Sequence, residues 1–348
     1  MSSIPAVSPA APGGQAGHRD WQNMHHRLQT FLSPRCSVKG LFHSAVVVTT
    51  LATLLGFAGP FGWFFDLFSH FRVQYALLLL CAALVSVFAR WQKLTLALLM
   101  LAIVNTCVVA PLLFHRTSDP GATENLRAVL VNVNAANRKP EPFFAFLKKS
   151  NPDFVIIEEI TPAWTGMLTN LAKTYPFSVV QPRDDCFGIG LYSRIPLLEE
   201  TVIDTGPAAV PSVRAAIVTH VGKFVLIGTH PVPPKNGEQS RWRNEHLQEI
   251  AGIVNKSKWP VLVVGDLNTS PWSINFRRFL RDAELTDSMM GFGIQASWPT
   301  YLAPLRIPID HVLHTAGFRI ADRRLGPDIG SDHFPVIVDF CPPQPQEP

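Results

Sequence analysis

Hydrophobic residues follow two different patterns along the chain. Up to about residue 114 they come in long uncharged runs, and beyond about residue 126 in short ones broken by polar residues. The long runs are "LFHSAVVVTTLATLLGFAGPFGWFF" from Leu41 to Phe65, "VQYALLLLCAALVSVFA" from Val73 to Ala89 and "LTLALLMLAIVNTCVVAPLLF" from Leu94 to Phe114. None carries Asp, Glu, Lys or Arg, and each is about as long as a bilayer-crossing helix requires. They predict three transmembrane helices. A soluble core seldom supplies three such runs separated only by short links. A cleaved signal peptide fits poorly too, because the first run begins behind a long Pro/Gly/Ser/Ala-rich leader.

The second regime has the rhythm of a mixed α and β domain. "LRAVLVNV", "DFVIIEE", "FGIGLYS", "PVLVVGD", "IDHVLHT" and "PVIVDF" read as strands, and helices are expected over residues 141–150, 163–175, 239–255 and 273–281. "VRAAIVTHVGKFVLIGTH" reads as a hairpin turning near Val221 and Gly222, two β-rich runs around a Gly-containing turn. Hairpin strands must be antiparallel and strand-helix-strand units favour parallel pairing, so the sheets should be mixed. The expected organisation is a leader over residues 1–40, an anchor over 41–114, a linker over 115–125, one folded domain over 126–341 and a Pro-rich tail over 342–348.

Charge refines this picture. Basic residues sit in the leader (Arg19, Arg27, Arg35, Lys39) and in the link between the second and third runs (Arg90, Lys93), whereas the first link has Arg72 beside Asp66. The positive-inside rule then places leader and second link in the cytoplasm and everything after Phe114 on the far side. The expected location is a bacterial inner membrane, with the folded domain facing the periplasm. The chain as a whole carries a formal charge of +4, yet from Arg116 onward there are 23 Lys and Arg against 24 Asp and Glu, a net −1. Such a domain lacks the broad basic field that grips long duplex DNA. Cys186 and Cys341 lie in the folded domain, where a disulfide is chemically permitted, and no Cys/His spacing suggests zinc.

Several strands end on side chains able to ligate or to transfer protons. They are Asn132 and Asn134, Glu158 and Glu159, His230, Asp266 and Asn268, Asp310, and the adjacent Asp332 and His333. Gathered on one rim, these carboxylates, amides and imidazoles suit a hard divalent cation, and an imidazole held by a carboxylate can take a proton from water. A lone Gly-Asp at a strand end is often only a turn; Asn268 two residues on, and the other strand ends, give Asp266 its weight. His220, His246, His311 and His314 lack such partners in the sequence and read as surface or packing residues, and Arg241 and Arg243 read as part of a solvated helix face.

In this order, "NVN", "DFVIIEE", "GTH", "GDLN", "IDHV" and "GSDHFPV" resemble the endonuclease/exonuclease/phosphatase (DNase I-like) superfamily over about residues 126–340. The three spans, with "GDLNTSPWS" and "RIPIDHV", look closest to its membrane-anchored, YafD-like branch. The resemblance implies an α/β sandwich of two mixed sheets packed face to face, with helices outside. It implies a metal site at Glu159 with Asn132 and Asp332, filled by Mg²⁺ or, as a substitute, Mn²⁺. It also implies His333 as general base oriented by Asp310, Asp266 and Asn268 positioning water and phosphoryl group, and His230 on the phosphate. Glu158 stands where the family usually has Gln, so either glutamate could ligate.

The function expected is a membrane-anchored phosphodiesterase acting on lipid-related or small phosphoesters. An exported nuclease for short or single-stranded nucleic acid is the alternative within the enzymes, and an inactive membrane-bound binding module the alternative outside them.

Overall fold

The computed structural model describes residues 37–114 and 125–343; the leader up to residue 36, the linker up to residue 124 and the tail beyond residue 343 lie outside them. The described residues up to Val47 group apart from those beyond it, so the division falls within helix α1.

Three helices are long and apolar enough to cross a membrane, as the runs predict. They are α1, Val38–Leu55; the segment Trp63–Phe88, whose regular α-helix α2 runs Arg72–Phe88; and α3, Gln92–Val109. The first run was expected to stay helical to Phe65, but glycines and Pro60 stop the helix at Leu55. Gly62, at φ 155°, turns the chain into a short helical stretch that begins at Trp63 and enters α2. Asp66 and Arg72, read from the sequence as link residues, are therefore buried. Arg72 Nη1 donates to Thr53 O at 3.0 Å and to Asn105 Oδ1 at 3.2 Å. Large apolar side chains such as Leu77, Leu84, Leu96 and Ile103 remain exposed on the helices, the reverse of a water-soluble bundle.

Among the described residues the rest of the chain forms two six-stranded sheets. In the first, the order is β11 (Arg319–Leu325), β12 (Val336–Cys341), β1 (Leu126–Asn132), β2 (Phe154–Glu158), β4 (Ile189–Ser193), β3 (Phe177–Gln181). In the second it is β5 (Leu197–Thr205), β6 (Val210–Thr219), β7 (Gly222–Thr229), β8 (Val261–Asp266), β10 (Asp310–His314), β9 (Thr286–Asp287). The β1/β2 and β7/β8 pairs are parallel and their neighbours antiparallel, so both sheets are mixed as expected.

Each sheet buries its inner face against the other through Leu130, Ile156, Val213, Leu226, Val264 and Val338. Helices cover the outer faces. Helix α4 (Glu141–Ser150) presents Phe143, Phe146 and Leu147 at helical spacing to the first sheet, together with Trp164 of α5 (Pro162–Leu168). Helix α6 (Gly237–Asn255) and helix α7 (Ile274–Asp282) cover the second with Leu247, Ile250 and Phe276. The caps follow the sequence: Thr161, Asn236 and Ser273 each accept a backbone N–H of the first turn.

The helix expected over residues 163–175 is α5 followed by a 3₁₀ turn, Thr169–Lys173. Strands β3, β5, β9 and β11 were not anticipated. All four lie at sheet edges and are partly exposed, so burial leaves a weak apolar signature. Cys186 and Cys341 are free thiols.

Candidate active site

Pairing register explains why the candidate residues share one rim. Parallel pairing sets Asn132 beside Glu158 at the ends of β1 and β2. Antiparallel pairing sets Asp310, first in β10, opposite Asp266, last in β8. Strand β12 begins where β1 ends, with Leu130 opposite Val336, so Asp332 and His333 just ahead of it arrive at the same place. The parallel β7 delivers His230 next to the end of β8. Carboxyl ends of parallel strands, converging from two sheets, thus make the cleft.

At its floor lies a buried cluster. His333 Nδ1 and Asp310 Oδ2 are 2.9 Å apart, a hydrogen bond, while His333 Nε2 and His230 Nε2 each stand 3.6 Å from Asp266 Oδ2. Arg323 Nη2 donates to the Asp310 carbonyl at 3.0 Å, and the Ser297 hydroxyl accepts the Asp310 N–H at 3.4 Å. The Trp298 ring lies 6.3 Å from that of His333.

Burial alone would lower the His333 pKa, but Asp310 and Asp266 outweigh it and raise it from 6.5 to about 10. Burial, with repulsion from Asp310, lifts Asp266, whereas His333 holds Asp310 below the ordinary carboxylate range despite its burial. His230 is pushed down to about 3, chiefly by burial, and is neutral at physiological pH.

Beside this cluster sits a second group built only of oxygen donors and amides. Glu159 Oε2 accepts the Ala135 N–H at 2.7 Å and Oε1 accepts Asn132 Nδ2 at 3.1 Å. Asp332 Oδ1 accepts Asn134 Nδ2 at 2.8 Å and Oδ2 accepts Trp298 Nε1 at 3.1 Å. Burial raises the Glu159 pKa, and Asp332 adds to the rise. Two neighbouring carboxylates with amide support and no thiolate fit a hard divalent cation. Asn132 turns its Oδ1 to the Asn134 N–H, at 3.0 Å, and so braces Glu159. Asp266, Asp310 and His333 form another group able to hold a metal, with candidate atoms within 4.8 Å of one another.

Asn134, Glu159 and Asn268 adopt left-handed backbone conformations, with φ of 60°, 62° and 50°. Such conformations are costly for residues with a Cβ and concentrate at functional sites. Asn268 is held there by its N–H on Asp266 Oδ1 at 2.9 Å and by its Nδ2 on Pro231 O at 3.0 Å.

All eight residues expected from the sequence therefore reach this rim, and Glu158 and Asn134 join them. Glu158 is fully buried between the sheets, its carboxyl accepting the Asp266 N–H at 3.1 and 3.2 Å. Burial and repulsion from Asp266 and Asp310 raise its pKa well above 4.5. The folded state thus binds a proton that the unfolded state releases, so this contribution to stability is full below the unfolded value and lost as pH rises toward the folded one. Glu158→Gln supplies a neutral isostere. We expect its melting temperature, measured on the full chain in detergent with chelator, to exceed wild type at pH 8 and match it near pH 4. About 1 kcal/mol reads as roughly 2–4 °C in a domain of this size. A gain that grew toward acid pH would contradict the assignment.

Sequence reasoning missed other participants. Arg243, expected on a solvated face, is buried, and its Nη1 donates to the Asn268 carbonyl at 2.9 Å. Its position is legible in retrospect, since Ser240, Arg243, Leu247 and Ile250 form the buried stripe of α6. His311 is buried as a packing residue should be, over Phe276, but its Nε2 also lies 2.9 Å from the Thr269 carbonyl. Arg194, just after β4, donates to Asn151 Oδ1 at 2.6 Å.

The two mixed sheets packed face to face, with helices outside, define an α/β sandwich. The model of the Endonuclease/Exonuclease/phosphatase family matches residues 129–333, more than half of the chain, and the chain belongs to that family. The family comprises divalent-metal-dependent nucleases, phosphatases and phosphodiesterases.

Among solved structures, TDP2 of D. rerio complexed with single strand DNA product is 19% identical, with a TM-score of 0.53, covering 62% of this chain and 99% of that one. An endonuclease/exonuclease/phosphatase from Bacteroides vulgatus is 16% identical with a TM-score of 0.53, covering 63% and 100%. The human Nocturnin catalytic domain with bound sulfate anion is 16% identical with a TM-score of 0.51, covering 62% and 93%. At these identities the likeness is one of fold. No curated protein sequence matches the chain.

Proposed function

We propose that the chain is a membrane-anchored phosphodiesterase that uses Mg²⁺, or Mn²⁺ in its place, and hydrolyses lipid-related or small phosphodiesters. The observation that carries this reading is the 2.9 Å contact from His333 to Asp310, facing Asp266 on the same rim as Glu159 and Asp332. Glu159 and Asp332 would hold the cation, with Asn132 orienting Glu159. When bound, the cation supplies positive charge against the phosphoryl oxygens and these two carboxylates.

His333, its Nδ1–H on Asp310, offers Nε2 to take a proton from the attacking water. Asp266 and Asn268 orient that water and the phosphoryl group, and the neutral His230 donates to phosphate.

This role makes activity depend on neutral His333. Because Asp310 and Asp266 raise its pKa, the acid limb of the kcat profile should lie above the ordinary imidazole range. Asp310→Asn removes the stronger of these attractions, so the limb is expected to move to lower pH while the plateau falls. A pH profile with an unmoved limb would assign the limb to another group.

Attachment to a membrane is supported by the three apolar helices and by the placement of their contacts. Trp63, Gln74 and Leu112, at the ends of those helices nearest the folded domain, bond to Pro234, Arg306 and Gly291, whereas Arg90, in the turn after α2, and Lys93, at the start of α3, lie at the opposite end. That arrangement agrees with a periplasmic domain and a cytoplasmic Arg90–Lys93 segment.

A lipid-related substrate is supported by an apolar loop beside the site. Tyr301, Leu302 and Leu305 are exposed, Tyr301 by 74%. Thr300 N bonds to the Asp332 carbonyl and Arg306 O to Gln74, so the loop joins the cleft to the membrane helices. The nuclease reading keeps the single strand DNA found with D. rerio TDP2 as its support. The near-neutral domain weighs against it.

The test is to offer the full chain, with Mg²⁺, vesicles of a phosphodiester-headgroup lipid and, separately, a single-stranded oligonucleotide. Headgroup release without oligonucleotide cleavage is expected. The opposite outcome would establish the nuclease reading.

A further inference from the structure

We infer that the anchor is a working part of the active site: Asp66 and His70, on the stretch joining its first two helices, position the Leu267–Ser273 loop that carries Asn268. The consequence for catalysis rests on the proposed role of Asn268.

The loop has no regular structure of its own between β8 and α7, and Asn268 in it holds a left-handed conformation. Three ties nonetheless lead from its polar groups to the anchor. His70 Nδ1 lies 2.8 Å from Ser270 Oγ and 3.4 Å from Ser270 N, so it accepts from the loop. Ser273 Oγ is 2.9 Å from each carboxylate oxygen of Asp66, while the same hydroxyl caps α7 by accepting Asn275 N–H. Asn275 Nδ2 adds a donor to Asp66 Oδ2 at 3.0 Å.

The third tie passes through Arg243. Its Nη2 lies 3.6 Å from Asp66 Oδ2, and its Nη1 donates to the Asn268 carbonyl at 2.9 Å. Arg243 and Asp66 are both buried. A guanidinium removed from water needs its counter-charge, so Asp66 holds Arg243 where it can grip Asn268.

The neighbouring loops are braced from the same side. Trp63 Nε1 donates to Pro234 O at 2.7 Å, in the proline-rich loop that follows His230 and accepts Asn268 Nδ2 at Pro231. Trp272 of the Asn268 loop packs with Val109 and Leu112 at the end of the third span. A tether serving only to hold the domain near a bilayer would need no buried charge pair reaching a site residue. Here the anchor fixes the loop's geometry.

The test uses the full chain in detergent micelles, with hydrogen–deuterium exchange of the peptide covering residues 267–273 and steady-state kinetics on bis(p-nitrophenyl) phosphate with Mg²⁺. Asp66→Asn keeps the volume but removes the charge. Exchange in 267–273 should accelerate while the Val210–Thr229 hairpin keeps its wild-type rates. Displacement of the loop should lower kcat by about 10- to 100-fold, with KM within about twofold. His70→Ala should act in the same direction, and His70→Gln, which restores an acceptor for Ser270, should recover both readouts.

Folded variants with wild-type exchange in 267–273 and wild-type kcat would overturn the inference. If Asp66→Asn fails to fold, the His70 pair decides. If the wild-type chain turns over no phosphodiester, the proposed function falls, and exchange in 267–273 still answers the question of positioning.

Discussion

His333→Ala is expected to lower kcat on a phosphodiester by about 10²- to 10⁴-fold, the span that a positioned general base contributes. The structure gives this side chain one orienting partner and one open nitrogen: Nδ1 is 2.9 Å from Asp310, and Nε2 points to the Asp266 side at 3.6 Å. Alanine removes the proton acceptor and leaves Asp310 and Asp266 buried without the imidazole that offsets their repulsion. Some loss of stability is therefore expected too, and kcat must be referred to folded protein measured by its melting transition. Folded His333→Ala retaining more than about a tenth of wild-type kcat would remove His333 from the chemistry.

The second large effect concerns the cation. Chelation should extinguish turnover, and added Mg²⁺ or Mn²⁺ should restore it. Glu159→Gln should move the metal titration to higher concentration by at least about 100-fold, and Asn132→Ala, which only braces Glu159, by about 10-fold. The reasoning is electrostatic. Burial raises the Glu159 pKa and the nearby Asp332 adds to the rise, so a positive charge beside Glu159 would relieve both effects. Removing one carboxylate halves the charge available to the cation. Should Asp266→Asn shift the titration while Glu159→Gln does not, the cation belongs instead to the group of Asp266, Asp310 and His333.

Much of this arrangement was legible in the sequence, for a physical reason. Buried parallel strands such as Leu126–Asn132 and Val261–Asp266 are almost uniformly apolar, so the polar residues closing them, Asn132 and Asp266, stand out as placed at strand ends. The adjacent Asp332 and His333 stood out similarly, just ahead of the apolar β12. Strand β11 was hidden because four charged residues interrupt it, although Arg323 among them turns inward to the Asp310 carbonyl.

Arg243 and Asp66 were missed for a related reason: a charged residue is read as solvated unless its counter-charge is in view, and theirs lie far apart in the sequence. A better signal existed in each case. Arg243 falls on the apolar stripe of its helix, and Asp66 is an acid beside a membrane-length apolar run, a position that costs too much to be kept without a partner. The choice between Glu158 and Glu159 needed coordinates, because a parity of one residue decides which carboxylate faces the space between the sheets and which faces the cleft.

The contacts from Asp66, His70 and Trp63 also bear on how the protein should be studied. A fragment beginning near Arg127 keeps the strands and the rim residues but loses every tie to the anchor, leaving Arg243 without its carboxylate. Activity measurements therefore belong on the full chain.

The most direct measurement of the central claim is turnover by purified full-length protein in detergent of bis(p-nitrophenyl) phosphate, beside p-nitrophenyl phosphate, with Mg²⁺ and with EDTA. The account predicts diester hydrolysis that requires the metal and exceeds monoester hydrolysis. Diester hydrolysis undiminished by EDTA, or monoester hydrolysis alone, would contradict it.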